Sequence, residues 1–254
     1  MDKDFAARRQ KGRETADKLQ DACEADGNPL GWFDGLYKAA DGDVAGVPWA
    51  DCEPHPALAE WLAQNPASKN GAGLRAIDVG CGLGDNAMAL QNAGFEVTAF
   101  DLSQTAIDWA KQRHKDTDAK DADAKDTDAK GASVNFQQAD LFNLPAEWIG
   151  AFDFVHETYT IQALKGGLRA AAFAEIASLL KPGGKLLVIC RGRPDSGTLT
   201  GPPWPVSRKE LSNFEHAGLV SETFEKFDIT DARAIPHFRV LYQTWEPPEW
   251  EQPL

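Results

Sequence analysis

Ala76-Ile77-Asp78-Val79-Gly80-Cys81-Gly82-Leu83-Gly84-Asp85-Asn86-Ala87-Met88-Ala89-Leu90 is a short apolar run with an acid inside it, then glycines at alternate positions, then residues of helix-forming composition. That succession is the strand, loop and helix opening of a nucleotide-binding α/β unit. A loop without Cβ atoms lets the backbone approach a ligand closely, and it enters a helix whose first N–H groups are free. A dinucleotide fingerprint G-x-G-x-x-G would place its third glycine at position 85, where this chain has Asp85. A carboxylate at the helix mouth repels a pyrophosphate and suits a ligand bearing an ammonium or sulfonium cation.

Outward from this stretch, the chain continues as alternating strands and helices. Strand one covers about 74–79 and the first helix about 85–92, with Gly94 as its stop. Glu96-Val97-Thr98-Ala99-Phe100 is a second strand that delivers Asp101 to its carboxyl end, the edge where open α/β sheets bind ligands. Ser103 caps a helix from Gln104 to about Arg113. Strands follow over 134–140 and 151–157, an Ala/Leu-rich helix over 168–180, and a fifth strand over 185–190. Ser207 and Glu210 form a capping box for a helix over 208–217, with Val206 and Leu211 as its staple. Two long strands, 220–228 and 237–246, close the chain.

These elements resemble the class I S-adenosylmethionine (SAM) methyltransferases, whose first motif has the form D-x-G-x-G-x-G. Asp78, Gly80, Gly82 and Gly84 occupy its positions, and the resemblance continues through Asp101, Asp140, Phe152-Asp153-Phe154-Val155 and Lys181-Pro182-Gly183-Gly184-Lys185, over roughly 74 to 246. It implies a Rossmann-like, doubly wound, seven-stranded and mostly parallel sheet with an antiparallel last strand. It also implies that Asp101 binds the ribose hydroxyls, that Asp140 and Leu141 lie beside the adenine, and that Cys81 and Leu102 line the cofactor. Within the family, Gly31-Trp32-Phe33-Asp34-Gly35-Leu36-Tyr37 and Val47-Pro48-Trp49 resemble the N-terminal lid of the thiopurine and halide/thiol branch. On that likeness residues 1–65 form a helical segment and lid, with Trp49 over the cofactor and Tyr37 toward the substrate, and residues 66–254 form the SAM-binding domain. Aromatic faces attract a sulfonium and exclude water; Trp32 and Trp49 are equally suited to ordinary core packing.

Methyl transfer is an in-line displacement, so the protein chiefly aligns acceptor, methyl and sulfur in a dry cleft. A hydroxyl or amine acceptor needs a base, and Glu157, His156 and Tyr159 are the candidates at the end of the fourth strand. Glu157 falls where the thiol/halide branch has an acid before its Tyr-Thr, and it serves either as a base or as a carboxylate for the cofactor's amino end. The Asn-Pro-Pro-aromatic element of amino-methylating DNA and glutamine enzymes is absent from the sequence after that strand. Arg191 and Arg193 leave the fifth strand, and Pro203-Trp204-Pro205 follows as an apolar wall. Such a mouth suits a thiolate, a small anion or a carboxylated molecule; alternatively the arginines pair with acidic residues of the N-terminal segment. Methylation of a metabolite at N or O, a nicotinamide-dependent oxidoreductase and a non-catalytic SAM-binding regulator are the rival readings.

Composition narrows the partners. The 254 residues carry 26 basic against 39 acidic side chains, a net charge of -13, which disfavours broad phosphate-backbone binding. Cys23, Cys52, Cys81 and Cys190 are far apart and form no C-x-x-C pair, so neither a disulfide framework nor a zinc site is indicated. The sequence shows no signal peptide and no apolar run of membrane-spanning length, and a cytoplasmic protein with a small-molecule substrate is expected. Three Asp-x-Asp-Ala-Lys pentads over 116–130 contain nothing large and apolar, so a solvated insertion is expected there.

Overall fold

The computed structural model describes residues 3–65, 73–121, 133–197, 199, 201–229 and 235–245. Among them run β1 (Arg75–Val79), β2 (Glu96–Asp101), β3 (Asn135–Gln138), β4 (Phe152–Thr158), β5 (Leu180–Arg193), β6 (Val206–Ser207), β7 (Leu219–Asp228) and β8 (Pro236–Thr244). The sheet order is β3-β2-β1-β4-β5-β8-β7, and the two-residue β6 pairs beside the end of β5. Strands β1 to β5 pair in parallel, whereas β8 is antiparallel to both neighbours. The expected mostly parallel sheet with an antiparallel last strand is therefore present, with β6 as an addition. Strand order reverses between β1 and β4, and the crevice outside the carboxyl ends at such a point is where these sheets take ligands.

Around the sheet are α1 (Lys3–Ala25), α2 (Gly31–Ala40), α3 (Pro56–Gln64), α4 (Asp85–Asn92), α5 (Gln104–Asp121), α6 (Gly166–Ser178), α7 (Arg208–Leu211) and α8 (Asn213–His216). Alternation along β5 shows how the sheet is covered on both faces. Leu186, Val188 and Cys190 enter a core with Phe173 and Ile176 of α6, while Leu187 and Ile189 enter another with Leu58 of α3, Leu90 of α4 and Ile107 of α5. The N-terminal segment joins this body through a smaller cluster in which Tyr37, Val47 and Ala50 pack on Leu83 and Ala106. Trp32 belongs instead to a cluster with Ala16 and Leu36 between α1 and α2, the core-packing alternative for that residue.

Three boundaries differ from the sequence reading. Helix α5 continues to Asp121, through the first pentad of the repeat; positions 122–130 lie outside the described residues. The helix expected over 208–217 is broken at Ser212, where Ser212 Oγ donates to Lys209 O and Asn213 Nδ2 donates to Glu210 O, at 2.7 and 2.8 Å. Such local side-chain bonds compete with the helical ladder. Strand β5 begins already at Leu180, which pairs with Phe152, and the register shifts between Phe152 and Phe154 to absorb Lys181-Pro182-Gly183-Gly184.

Candidate active site

The glycine loop is built as its composition requires. Gly80, Gly82 and Gly84 have φ of 63°, 53° and 84°, a region that side chains with a Cβ rarely adopt. Space is denied as well as strain imposed: a Cβ on Gly84 would lie 2.6 Å from the Phe136 ring, and one on Gly80 would meet Thr160 Oγ1. At the end of β2, Asp101 Oδ2 accepts from Gly82 N and Oδ1 from Ser103 N, each at 2.9 Å. Each oxygen retains a further lone pair for a ligand hydroxyl. Burial raises the Asp101 carboxyl to about pKa 6, against the two backbone bonds that lower it. Asp140 Oδ1 accepts from Phe142 N at 2.9 Å, and Leu141 is buried beside it. Leu102 O accepts from Gln138 Nε2 at 3.1 Å, and Cys81 N donates to Phe100 O at 2.9 Å, so both residues fix the walls of the loop.

The lid closes on this loop. Tyr37 is buried with its hydroxyl 3.2 Å from where a Gly82 Cβ would stand, and it accepts from Trp49 Nε1 at 2.9 Å. Trp49 also meets Trp32, Phe33 and Tyr37 edge to face. Asp34 joins α2 to the cofactor side, accepting from Ser103 Oγ at 2.7 Å and Thr105 N at 3.3 Å at the start of α5. Although burial opposes its charge, the bonds from Lys38, Ser103 and Thr105 pull Asp34 down to about pKa 2. Arg9 of α1 holds the strap behind Trp49 through Pro48 O and Ala50 O, at 2.8 and 2.6 Å.

On the other side of the switch point, register sets the pairs. Asp78 and His156 are neighbours across β1 and β4, and His156 Nδ1 lies 2.7 Å from Asp78 Oδ1 while its Nε2 meets Thr158 Oγ1 at 2.8 Å. His156 is fully buried there, which removes it from the list of candidate bases. Glu157 is also fully buried: Oε1 accepts from Thr160 N and Ile161 N, at 2.6 and 3.0 Å, and burial raises the carboxyl to about pKa 7 against those bonds. Its Oε1 is committed to the turn after β4. Asp78 Oδ2 and Glu157 Oε2 are buried acceptors without a hydrogen-bond partner among the described residues. They flank the Val79–Gly80 step, where Val79 and Glu157 are in register.

Tyr159 follows at φ 71°, its ring edge-on to His55 and its hydroxyl 3.0 Å from His55 Nε2. The Arg191 guanidinium stands 5.8 Å from the Tyr159 ring centroid. Arg193 does something else. Its Nε donates to Pro205 O, its Nη1 to Gly197 O and its Nη2 to Glu210, at 3.1, 3.0 and 2.6 Å. Arg169 donates to Trp204 O and Pro205 O, at 2.9 and 3.2 Å, and Trp204 is nearly buried with Lys165 near its ring. Arg193 and Trp204 thus anchor the Pro203–Pro205 loop, and the acid that Arg193 pairs with is Glu210 rather than one of the N-terminal segment, so neither expectation for Arg193 holds as stated. Asp85 needs correction too: Arg113 grips it through two bonds of 3.0 and 2.9 Å, so its charge is compensated and does not face a ligand. His55, Arg113, Arg169 and Gln162 were not singled out from sequence as functional; for His55 the signal was a His-Pro step at a helix start.

Residues 44–240 match the family of thiopurine S-methyltransferases. The chain belongs to that family. Among its relatives is a probable thiol methyltransferase 2 from Arabidopsis thaliana, 28% identical over 191 residues that make up 74% of each chain. In three dimensions it is similar to the [4+2]-cyclase SpnF, with a TM-score of 0.64, 18% identity and coverage of 85% and 95% of the two chains. It is also similar to the N-methyltransferase NodS of Bradyrhizobium japonicum WM9 in complex with S-adenosyl-l-homocysteine, with a TM-score of 0.60, 16% identity and coverage of 84% and 97%. The chain is a SAM-dependent methyltransferase acting on a small molecule. No described helix is long and apolar enough to cross a membrane.

The residues present fit SAM. Asp101 has acceptor capacity to spare, and the two orphaned carboxylate oxygens beside Gly80 suit an ammonium.

Proposed function

We propose that this enzyme methylates a thiol or another small anionic acceptor, with residues 1–65 as the lid over a SAM-binding body formed by 66–254. Gly80, Gly82 and Gly84 with Cys81 cradle the cofactor, Asp101 and Leu102 take its ribose, Asp140 and Leu141 its adenine, Asp78 and Glu157 its amino end, and Trp49 covers it. When bound, SAM supplies an electrophilic methyl whose carbon–sulfur bond breaks as the acceptor's bond forms, the electron pair going to sulfur. Tyr37 and Trp49 exclude water from that line, and Tyr159 and Arg191 hold the acceptor at the mouth.

The observation that carries this reading is the pairing of a cation, Arg191, with a phenol, Tyr159, at a mouth where the neighbouring base candidates Glu157 and His156 are both buried. An anionic nucleophile needs no strong base, whereas an alcohol or ammonium does. The thiol methyltransferase relative supports the same class. A methylation screen over thiols, amines, phenols and carboxylates, read by mass spectrometry, tests it; turnover of neutral amines alone would refute it. Asp101→Ala, loaded with S-adenosylhomocysteine (SAH) in a calorimeter, should bind at least about tenfold more weakly, since charge-assisted bonds of about 1.5–3 kcal/mol are removed. Unchanged affinity in a folded variant would remove Asp101 from the cofactor site.

A further inference from the structure

Segments far apart in the sequence meet around one phenol. Tyr159 leaves β4 with a left-handed backbone, a conformation that costs a residue with a Cβ about 1–2 kcal/mol, and its N–H donates to Ile189 O at 3.1 Å. His55 comes from the N-terminal cap of α3, Arg191 from β5, and His237 from β8, where Arg191 and His237 are register neighbours. The His237 ring centroid is 5.9 Å from that of Tyr159, and its Nδ1 meets Ile235 O at 2.9 Å. The backbone N–H of His55 donates to Asn86 Oδ1 at 2.8 Å in the first turn of α4, and Thr160 next to the phenol packs on Gly80. The group therefore abuts the glycine loop.

The direction of each hydrogen bond follows from chemistry. Ala57 N lies 3.2 Å from His55 Nδ1, and a backbone N–H only donates, so Nδ1 carries no proton. Burial, helped by His156 and His237, holds the His55 ring neutral with a pKa down to about 3. A neutral imidazole without a proton on Nδ1 carries it on Nε2, so Nε2–H donates to the Tyr159 oxygen. The Arg191 guanidinium, a donor only, stands 5.8 Å from the centroid of the Tyr159 ring, and burial outweighs that cation to keep the phenol protonated. An oxygen that accepts from a protonated ring nitrogen must send its own O–H elsewhere. Tyr159 is half-buried, and among the described residues no acceptor is paired with that proton.

We propose that His55 is a positioning residue: its Nε2–H turns the Tyr159 hydroxyl outward as a donor, so that Tyr159 and Arg191 together bind the lone-pair-bearing thiolate form of the acceptor. His55 is not a base, because the nitrogen that faces the site already carries its proton. The proposal rests on the methyl-transfer reading above and assigns what recognises the acceptor within it.

The test is direct binding of 4-nitrothiophenolate, followed by its visible absorbance, to the full chain saturated with SAH, where no methyl is available. His55→Asn keeps a helix cap but ends short of Tyr159, and should weaken thiolate binding about tenfold or more. His55→Gln, whose amide nitrogen can stand where Nε2 stands, should recover affinity to within about threefold of the native protein. Tyr159→Phe should lose as much as His55→Asn, and adding His55→Asn to Tyr159→Phe should cost nothing more. SAH affinity should stay constant throughout. Native affinity in His55→Asn, a His55→Asn loss that persists unchanged on the Tyr159→Phe background, a parallel loss of SAH, or preferential binding of benzylamine would each overturn the proposal. Failure of the native chain to bind SAH at all would instead sink the methyl-transfer reading on which it rests.

Discussion

On the β1–β2 side of the ligand edge, the two carboxylates are met by backbone N–H groups, Asp101 by those of Gly82 and Ser103 and Asp140 by that of Phe142. On the β4–β5–β8 side, Tyr159 and Arg193 are met by side chains, those of His55 and Glu210. The first arrangement is carried by loop geometry and tolerates little change of backbone. The second is carried by individual side chains, and it can be altered one residue at a time. That difference suits an enzyme whose cofactor end is invariant in chemistry and whose acceptor end is specific.

Three tests press on this contrast. Gly84→Ala attacks the backbone-built half, where a methyl group at φ 84° would press on the Phe136 ring. Strain and overpacking together should lower unfolding free energy by about 3 kcal/mol, read by urea denaturation with and without SAH. A loss below about 0.5 kcal/mol would mean that the loop is softer than the comparison requires.

Arg193→Met and Arg191→Met separate two arginines that leave the same strand two residues apart. Removing Arg193 takes a donor from Pro205 O and from Gly197 O and leaves Glu210 with Arg169 as its one arginine, and should cost about 2 kcal/mol of stability with little specific effect on acceptor KM. Arg191→Met should do the reverse, raising acceptor KM while leaving SAH affinity alone. If the two variants behave alike, the division between anchoring and binding arginines is wrong.

The smallest effect concerns Glu157 and is a pH dependence. Its carboxyl is raised from an ordinary 4.5 to about 7, so the folded chain favours the neutral form. The stability this gives is complete below about pH 4.5 and is lost as pH climbs toward 7 and beyond. Unfolding free energy should therefore fall between pH 5 and 8 by on the order of 1–2 kcal/mol more in the native protein than in Glu157→Gln, which keeps an oxygen for Thr160 N and Ile161 N. Equal slopes in the two proteins would show that Glu157 does not titrate in that window.

Legibility in the sequence followed the same division. The glycines, Asp101 and the order of strands and helices were readable because each is written in a short run of residue types, an apolar strand ending in a glycine turn or an acid. Helix α5 ran past its expected end because the repeat's Asp, Ala and Lys residues are compatible with helix once a buried first half nucleates it. Asp85 was misread, and the two roles open for Arg193 stayed undecided, because nothing local announces Arg113 or Glu210 as their partners. His55 was passed over for a related reason: the cap that sets its tautomer is local, but the phenol it meets is brought over by the left-handed turn at Tyr159, 104 residues on.

The stretch from α2 to the start of α3 is tied down on both halves, at Asp34 to the start of α5 and at His55 to Tyr159, with Arg9 gripping it in between. One length of backbone is thus a staple whose two legs stand in different halves of the ligand edge, joining by a short covalent path what the sheet holds apart.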